Sequence, residues 1–285
     1  EIPMLLRPFL SLDNFRRTVS LLYKYACDRL RYPRGTRLLI GNALVARYML
    51  SLRRVGVSIE YESRLIDLVK ENGRIVGAVV EQNGRSTTVR ARRGVVLATG
   101  GVPHSPTLRS ELMPAHPHDY SMADEGDTGD GVSLARKAGA ALDRAVSNPA
   151  YWSPASIRQS ANGSRTLWIH GHMDRGKPGL LAVRASGRRF VNEADSYHDF
   201  VLAMFGSDSR PDNRPAYLIC DHHFIRQYGL GLVRPKISRL GPFLRDGYLL
   251  RGDTIEELAK RANFDPSALR ETVDTYNADA VKGVD

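Results

Sequence analysis

The sequence predicts an α/β fold followed by an α+β part, divided near Pro154. Three observations predict it. Apolar residues recur at helical spacing near both ends of the chain. Short alternating runs separated by Asn-Gly pairs lie between them. One wholly apolar run, Val95-Val-Leu-Ala98, has the pattern of a strand buried on both faces. A chain of 285 residues makes one large or two medium domains, at roughly 100–200 residues per domain.

In chain order, Phe15, Val19, Leu22, Ala26 and Leu30 mark a helix closed by Pro33-Arg-Gly35. Leu44, Val45, Tyr48, Met49 and Leu52 mark a second. The period then drops to two. Val57-Ser-Ile-Glu-Tyr61 alternates, and runs at 65–69, 75–80 and 87–91 form an antiparallel meander turned at Asn72-Gly73 and Asn83-Gly84. Val95-Val-Leu-Ala98 follows as the buried strand, and residues 132–140 read as a helix opened by Thr128-Gly-Asp-Gly131. Residues 154–179 read as irregular. Strands are expected at 180–183 and 217–220, with a helix at 198–205 between them. The capping box Thr254-Ile-Glu-Glu257 and the pair Asp265-Pro266 open two closing helices.

Composition narrows the function class. At 42% hydrophobic and 25% charged the chain falls among globular proteins rather than disordered or fibrous ones. No window holds the ~18 apolar residues of a membrane span. The net charge of +10 is arginine-rich, but the arginines are spread from Arg7 to Arg270, the pattern of a solvated surface rather than a nucleic-acid stripe. Two cysteines, Cys27 and Cys220, are too few for a disulfide framework and point to a reducing, cytoplasmic setting. The pairs His116/His118, His170/His172 and His222/His223 lack carboxylate or cysteine partners at a zinc spacing, so no metal is expected.

Two glycine motifs carry chemistry. A buried strand ending in Thr99-Gly100-Gly101 lets a flat ligand or a second backbone come close, since glycine has no Cβ. At the carboxyl end of such a strand a ligand cleft is expected; a tight strand-to-loop turn is the plain alternative. In Thr128-Gly-Asp-Gly131 the glycines expose the amides of a helix start, which favour an acceptor, while Asp130 suits a hydroxyl or N–H of a ligand, or serves simply as a cap. A third segment, Gly187-Arg-Arg-Phe-Val-Asn-Glu193 followed by Tyr197, is by itself a turn, a strand and a polar edge.

Together and in this order, the three motifs resemble those of the flavoproteins related to fumarate reductase and 3-ketosteroid 1-dehydrogenase. Gly35-Thr-Arg-Leu38, Gly41-Asn-Ala-Leu-Val-Ala-Arg47 and Asp253-Thr-Ile-Glu-Glu-Leu-Ala259 extend the resemblance along the chain. It implies an incomplete Rossmann-like FAD-binding domain at 1–155, containing the meander, and a substrate (cap) domain at 156–285. It implies FAD as cofactor, with Ala98, Thr99, Gly100, Gly101 and Asp130 on its site. It also implies removal of hydrogens from adjacent carbons next to a ketone, with hydride passing to the flavin, a ketone or steroid-like substrate, and a separate electron acceptor.

Ala150-Tyr-Trp-Ser-Pro154 resembles the aromatic stretch of the ketosteroid dehydrogenases, where fumarate reductases carry a substrate-binding histidine. The alternative is a fumarate-reductase-like enzyme acting on a dicarboxylate. By resemblance Tyr197 is the base that takes the α-proton, and Arg175 lies near the place of the fumarate reductases' acid arginine. A phenol base needs positive charge beside it, and Arg175, Arg188 and Arg189 are the candidates. The sequence lacks the Gly-x-Gly-x-x-Gly loop that cradles a dinucleotide pyrophosphate, and the family's C-terminal segment with a second catalytic tyrosine. The chain is therefore expected to be an internal part of a longer enzyme, binding flavin weakly or not at all when isolated.

Overall fold

The computed structural model describes residues 8–113, 120–160, 162–206, 215–236 and 239–284, without the side chains of His172 and Met173. His116 and His118 lie outside the described residues. Two compact units are built from this chain: residues 1–69 with 77–92, and residues 70–76 with 93–285.

The first unit opens with a 3₁₀ turn, Pro8–Leu10, and two helices, α1 (Leu12–Arg31) and α2 (Ile40–Arg54). Ser11 caps α1 by accepting the Asn14 amide at 3.1 Å, and Asp13 pairs with Arg17 one turn on. The Asp28 carboxylate takes both the amide and the hydroxyl of Thr36, tying down the turn after α1. The meander is β1 (Arg64–Glu71), β2 (Arg74–Gln82) and β3 (Arg85–Arg90), in that sheet order. β2 and β3 pair antiparallel from Gly77 opposite Arg90 to Gln82 opposite Arg85. Their turn residues Asn83 and Gly84 both have positive φ, as a two-residue hairpin turn requires. The alternating run at 57–61 forms no strand.

In the second unit the apolar run at 95–98 forms no strand and belongs to no sheet among the described residues. Hydrophobic content alone cannot supply the ladder partner that a strand needs. Two short helices follow, α3 (Pro106–Leu112), capped by Ser105, and α4 (Asp130–Lys137). The region read as irregular instead contains an antiparallel hairpin, β4 (Ala155–Gln159) with β5 (Arg165–Ile169), and a one-turn helix, α5 (His172–Arg175).

The core of this unit is built on β6 (Leu180–Val183) and β7 (Tyr217–Cys220), antiparallel with Leu180 opposite Cys220 and Val183 opposite Tyr217. Alternation splits their side chains between two faces. Leu181, Val183, Tyr217 and Ile219 pack on Ala259, Phe264 and Leu269 of the closing helices α9 (Ile255–Ala262) and α10 (Pro266–Lys282) and their connection. Leu180, Leu218 and Cys220 face Phe224 of α7 (His222–Tyr228). Between β6 and β7 lies α6 (Tyr197–Phe205), and α8 (Gly241–Arg245) precedes the closing pair. Thr254 and Asp265 cap α9 and α10 as the sequence expects. Among the described residues no helix is long and apolar enough to cross a membrane.

Candidate functional site

The glycine motifs meet in space. Gly131, in the first turn of α4, lies so close to Thr99 that a Cβ there would overlap the Thr99 hydroxyl. Gly100 has φ +84° and lies against the Asp127 carboxylate, which occupies the space of any side chain at that position. Gly129, with φ +81°, precedes α4 and packs on Leu108 and Val102. These close approaches line a cavity of about 220 Å³ formed by Leu97, Thr99, Gly100, Gly131, Val132 and Arg136, with 140–142 at its edge. That is smaller than the ~300–1,000 Å³ of sites that enclose a whole drug-sized ligand, and it suits one flat portion of a longer molecule.

Of the expected cofactor residues, Thr99 and Gly100 line this cavity, while Ala98 and Gly101 flank it in sequence and do not line it. Asp130 begins α4 beside Gly131, and its carboxylate accepts the Thr128 hydroxyl at 2.9 Å. The wall is braced by Glu111, which takes two bonds from Arg136, at 2.8 and 2.7 Å, and another from Arg144. Arg136 holds the Glu111 carboxyl below the usual carboxylate range, against the opposing effect of desolvation.

A second cluster surrounds Tyr197. It is the first residue of α6, whose cap Ser196 accepts the Asp199 amide at 3.1 Å and donates to the Asp199 carboxylate at 2.7 Å. Tyr197 remains 37% exposed, and the Tyr151 ring, 84% exposed, lies 6.4 Å from it between centroids. The Tyr151 ring also lies tilted against His198, 5.0 Å between centroids, and His198 Nδ1 accepts the Trp152 amide at 3.2 Å. Trp152 meets Phe205 edge-on. The aromatic stretch at 151–152 and the start of α6 therefore form one surface.

Arg175, expected to face a substrate, is instead enclosed. It is 0% exposed, and its guanidinium donates to the main-chain carbonyls of His170, Glu193 and Asp195 at 2.9, 2.8 and 3.2 Å while lying over the Phe200 ring. Its five N–H donors are well suited to bridging separate carbonyls. Arg189 pairs with Glu193 at 2.6 Å and Arg188 with Glu271 at 2.7 Å, so each of the three arginines has a partner of its own. Glu193, 5% exposed, also accepts the Ala182 amide at 2.6 Å.

The residues that sequence reasoning missed form a chain: Asp174 Oδ2 to His170 Nδ1 at 2.7 Å, His170 Nε2 to Ser156 Oγ at 2.8 Å, and Ser156 Oγ to the Tyr248 hydroxyl at 2.6 Å. The spacing of His170 and Asp174 was a readable signal; Ser156 and Tyr248, 92 positions apart, had none. Among the described residues no group of three or more His, Cys, Asp or Glu is gathered as a metal-ligand set.

Residues 13–285 match the profile of a family described as FAD binding domain. The chain is 33% identical over 278 residues to the 4-oxocyclohex-2-ene-1-carboxylate 5-dehydrogenase of Sinomonas cyclohexanicum, covering 96% of this chain and 47% of that protein. It is 31% identical over 262 residues to the 3-oxosteroid 1-dehydrogenase of Mycobacterium tuberculosis (strain ATCC 25618 / H37Rv), covering 86% and 44%. Among solved structures, the 3-ketosteroid delta1-dehydrogenase from Sterolibacterium denitrificans, in complex with 1,4-androstadiene-3,17-dione, superposes with a TM-score of 0.74 at 27% identity, covering 94% of this chain and 49% of that one. The chain thus spans about half the length of the proteins it matches.

Proposed function

The chain belongs to the FAD binding domain family, and on that premise we propose that it is part of an FAD-dependent dehydrogenase acting on the CH–CH bond next to a ring ketone. In this reading residues 1–155 contribute to the flavin-binding domain and 156–285 form the substrate (cap) domain. The substrate is an alicyclic ketone of the oxosteroid or oxocyclohexane-carboxylate kind, the classes named for the relatives. Tyr151-Trp152, standing where fumarate reductases carry a histidine, favours this over a dicarboxylate substrate.

FAD fits the first cluster. The crowded Thr99–Gly131 approach and the left-handed Gly100 leave a narrow slot for a flat group, with the amides at the start of α4 available to an acceptor atom. Thr99 and Gly100 would touch the adenosine or pyrophosphate side, with Ala98 and Gly101 as the adjoining backbone and Asp130 beside a ligand hydroxyl. Bound FAD supplies the hydride acceptor of the reaction.

As the phenolate, its own proton given up to solvent, Tyr197 takes the α-proton that the neighbouring ketone acidifies. Tyr151 and Trp152 supply an apolar wall that orients a ring substrate over the phenol. Arg175 supports this from behind, fixing the 193–195 carbonyls that lead into Tyr197, and touches no substrate. The electron acceptor is a separate partner, no nucleic acid is involved, and a reducing cytoplasm suits the two free cysteines.

The observation that carries the reading is the exposed Tyr197–Tyr151 pair at the start of α6. Its test is Tyr197→Phe in the flavin-loaded protein, assayed with a 3-oxosteroid and an oxocyclohexane carboxylate. Loss of a general base should lower kcat by about 10²–10⁴-fold with flavin still bound; turnover near that of the unaltered protein removes Tyr197 from the mechanism.

A further inference from the structure

His170 is 6% exposed and sits where several segments converge. Its Nδ1 faces Asp174, on which the Trp168 indole also converges at 3.2 Å, and its Nε2 faces Ser156. Its amide donates to Pro154 at 2.8 Å, and its carbonyl accepts from Arg175. One residue is thereby bonded to the segment that carries Tyr151 and, through Arg175, to the loop that delivers Tyr197. Gly231 closes the other side: a Cβ there would collide with the Tyr248 hydroxyl and press on the imidazole.

The hydrogen bonds form one continuous chain. Asp174 accepts at Oδ2 from both His170 and Trp168; burial alone would raise its pKa, yet those bonds hold it below its ordinary value. Nδ1 of the imidazole therefore carries a proton. Nε2 is hydrogen-bonded to the Ser156 hydroxyl, Ser156 to the Tyr248 hydroxyl, and Tyr248 accepts the Leu232 amide at 3.2 Å.

We infer that His170, with Asp174 and Ser156, is a positioning residue that sets the Tyr151–Tyr197 surface. The inference rests on the proposed role of Tyr197 for its catalytic meaning, but not for its geometry. Other charged groups face the same node. On its own helix and the following loop they are Asp174, the buried Arg175 and the Glu193 and Asp195 carboxylates that act on it electrostatically; from β4 and the 246–248 turn they are the Arg158–Asp246 pair, 2.6 Å apart, and Tyr248. Arg158 holds the Asp246 carboxyl below its ordinary value against the opposing effect of desolvation.

The test uses the chain labelled with ¹³Cζ-tyrosine, the Tyr197 resonance being assigned by its loss in Tyr197→Phe. His170→Asn should shift the Tyr197 resonance at constant pH. Ser156→Ala, which removes one hydroxyl and leaves the hairpin intact, should shift the same Tyr197 resonance at constant pH. In the flavin-loaded protein Ser156→Ala should lower kcat by roughly tenfold with KM little changed, as small misplacement of a reacting group does. A Tyr197 resonance that ignores both His170→Asn and Ser156→Ala overturns the inference. So does covalent capture of Ser156 by a fluorophosphonate, because that hydroxyl would have to leave Tyr248 and act as a nucleophile. If the Tyr197 resonance responds to His170→Asn but Tyr197→Phe retains full turnover, the inference stands and the proposed function falls.

Discussion

Arg175→Met removes a guanidinium while keeping an apolar stem over Phe200. In the folded chain that guanidinium satisfies three main-chain carbonyls, those of His170, Glu193 and Asp195, and is wholly shielded from water. A hydrogen bond to a charged donor contributes about 1.5–3 kcal/mol, so three bonds would suggest several kilocalories. Desolvating the charge costs several kcal/mol in the other direction. Burial pulls the Arg175 pKa down, whereas Asp174, Asp195 and Glu193 push it up, so removing the arginine also leaves those carboxylates less compensated. The balance resembles the loss of one partner from a buried charged set, about 3–5 kcal/mol of destabilisation. Urea unfolding followed by the fluorescence of Trp152 and Trp168 measures it. Arg175→Lys, whose ammonium cannot span all three carbonyls, should lose less but still more than about 1 kcal/mol. A loss below about 1 kcal/mol for Arg175→Met, with an unchanged m-value, would refute the anchoring role, since surface substitutions already scatter by about half that.

Two further outcomes are expected. Gly131→Ala puts a Cβ into the Thr99 hydroxyl; flavin titration should show about tenfold weaker binding, even though alanine favours a helix by up to ~1 kcal/mol over glycine, and unchanged affinity would separate this slot from the flavin. Burial, and secondarily Asp221, pushes the Cys220 thiol up from 9.0 to about 12; its thiolate is then about 1,000-fold scarcer than that of an ordinary thiol, so Ellman's reagent should reach Cys220 only on unfolding, and rapid labelling in the folded chain would contradict the burial.

The parts legible in the sequence were those decided locally. The Asn83-Gly84 turn, the caps Thr254 and Asp265 and the alternation of β6 depend on residues within a few positions, and they stand where the pattern puts them. The β4–β5 hairpin carried a usable Asn162-Gly163 signal, with Gly163 at φ +80°, but Ile157 is the only large apolar residue in β4 and the alternation was too thin to notice. The run at 95–98 shows the opposite failure, since apolar residues announce burial but not a ladder partner. At the site, the resemblance singled out Thr99, Gly100 and Tyr197, and the cavity and the aromatic surface include them. Arg175 had the residue type of a substrate ligand, and its bonds to the carbonyls of His170, Glu193 and Asp195 depend on the fold rather than on residue type. The Ser156–His170–Tyr248 chain depends on bringing a hairpin and a remote turn together, which no local spacing encodes.

The Glu193 bond to the Ala182 amide reaches into β6, whose four residues are all buried. Amides in such a strand exchange with solvent deuterium through the largest openings a domain makes, while exposed helix starts exchange through small local ones. Because Glu193 ties the 193–195 loop to that strand and Arg175 ties it to the His170 carbonyl, the backbone just ahead of Tyr197 should inherit slow exchange although the phenol itself is exposed. An exposed side chain mounted on slowly exchanging backbone can receive and release ligands without reorganising its support.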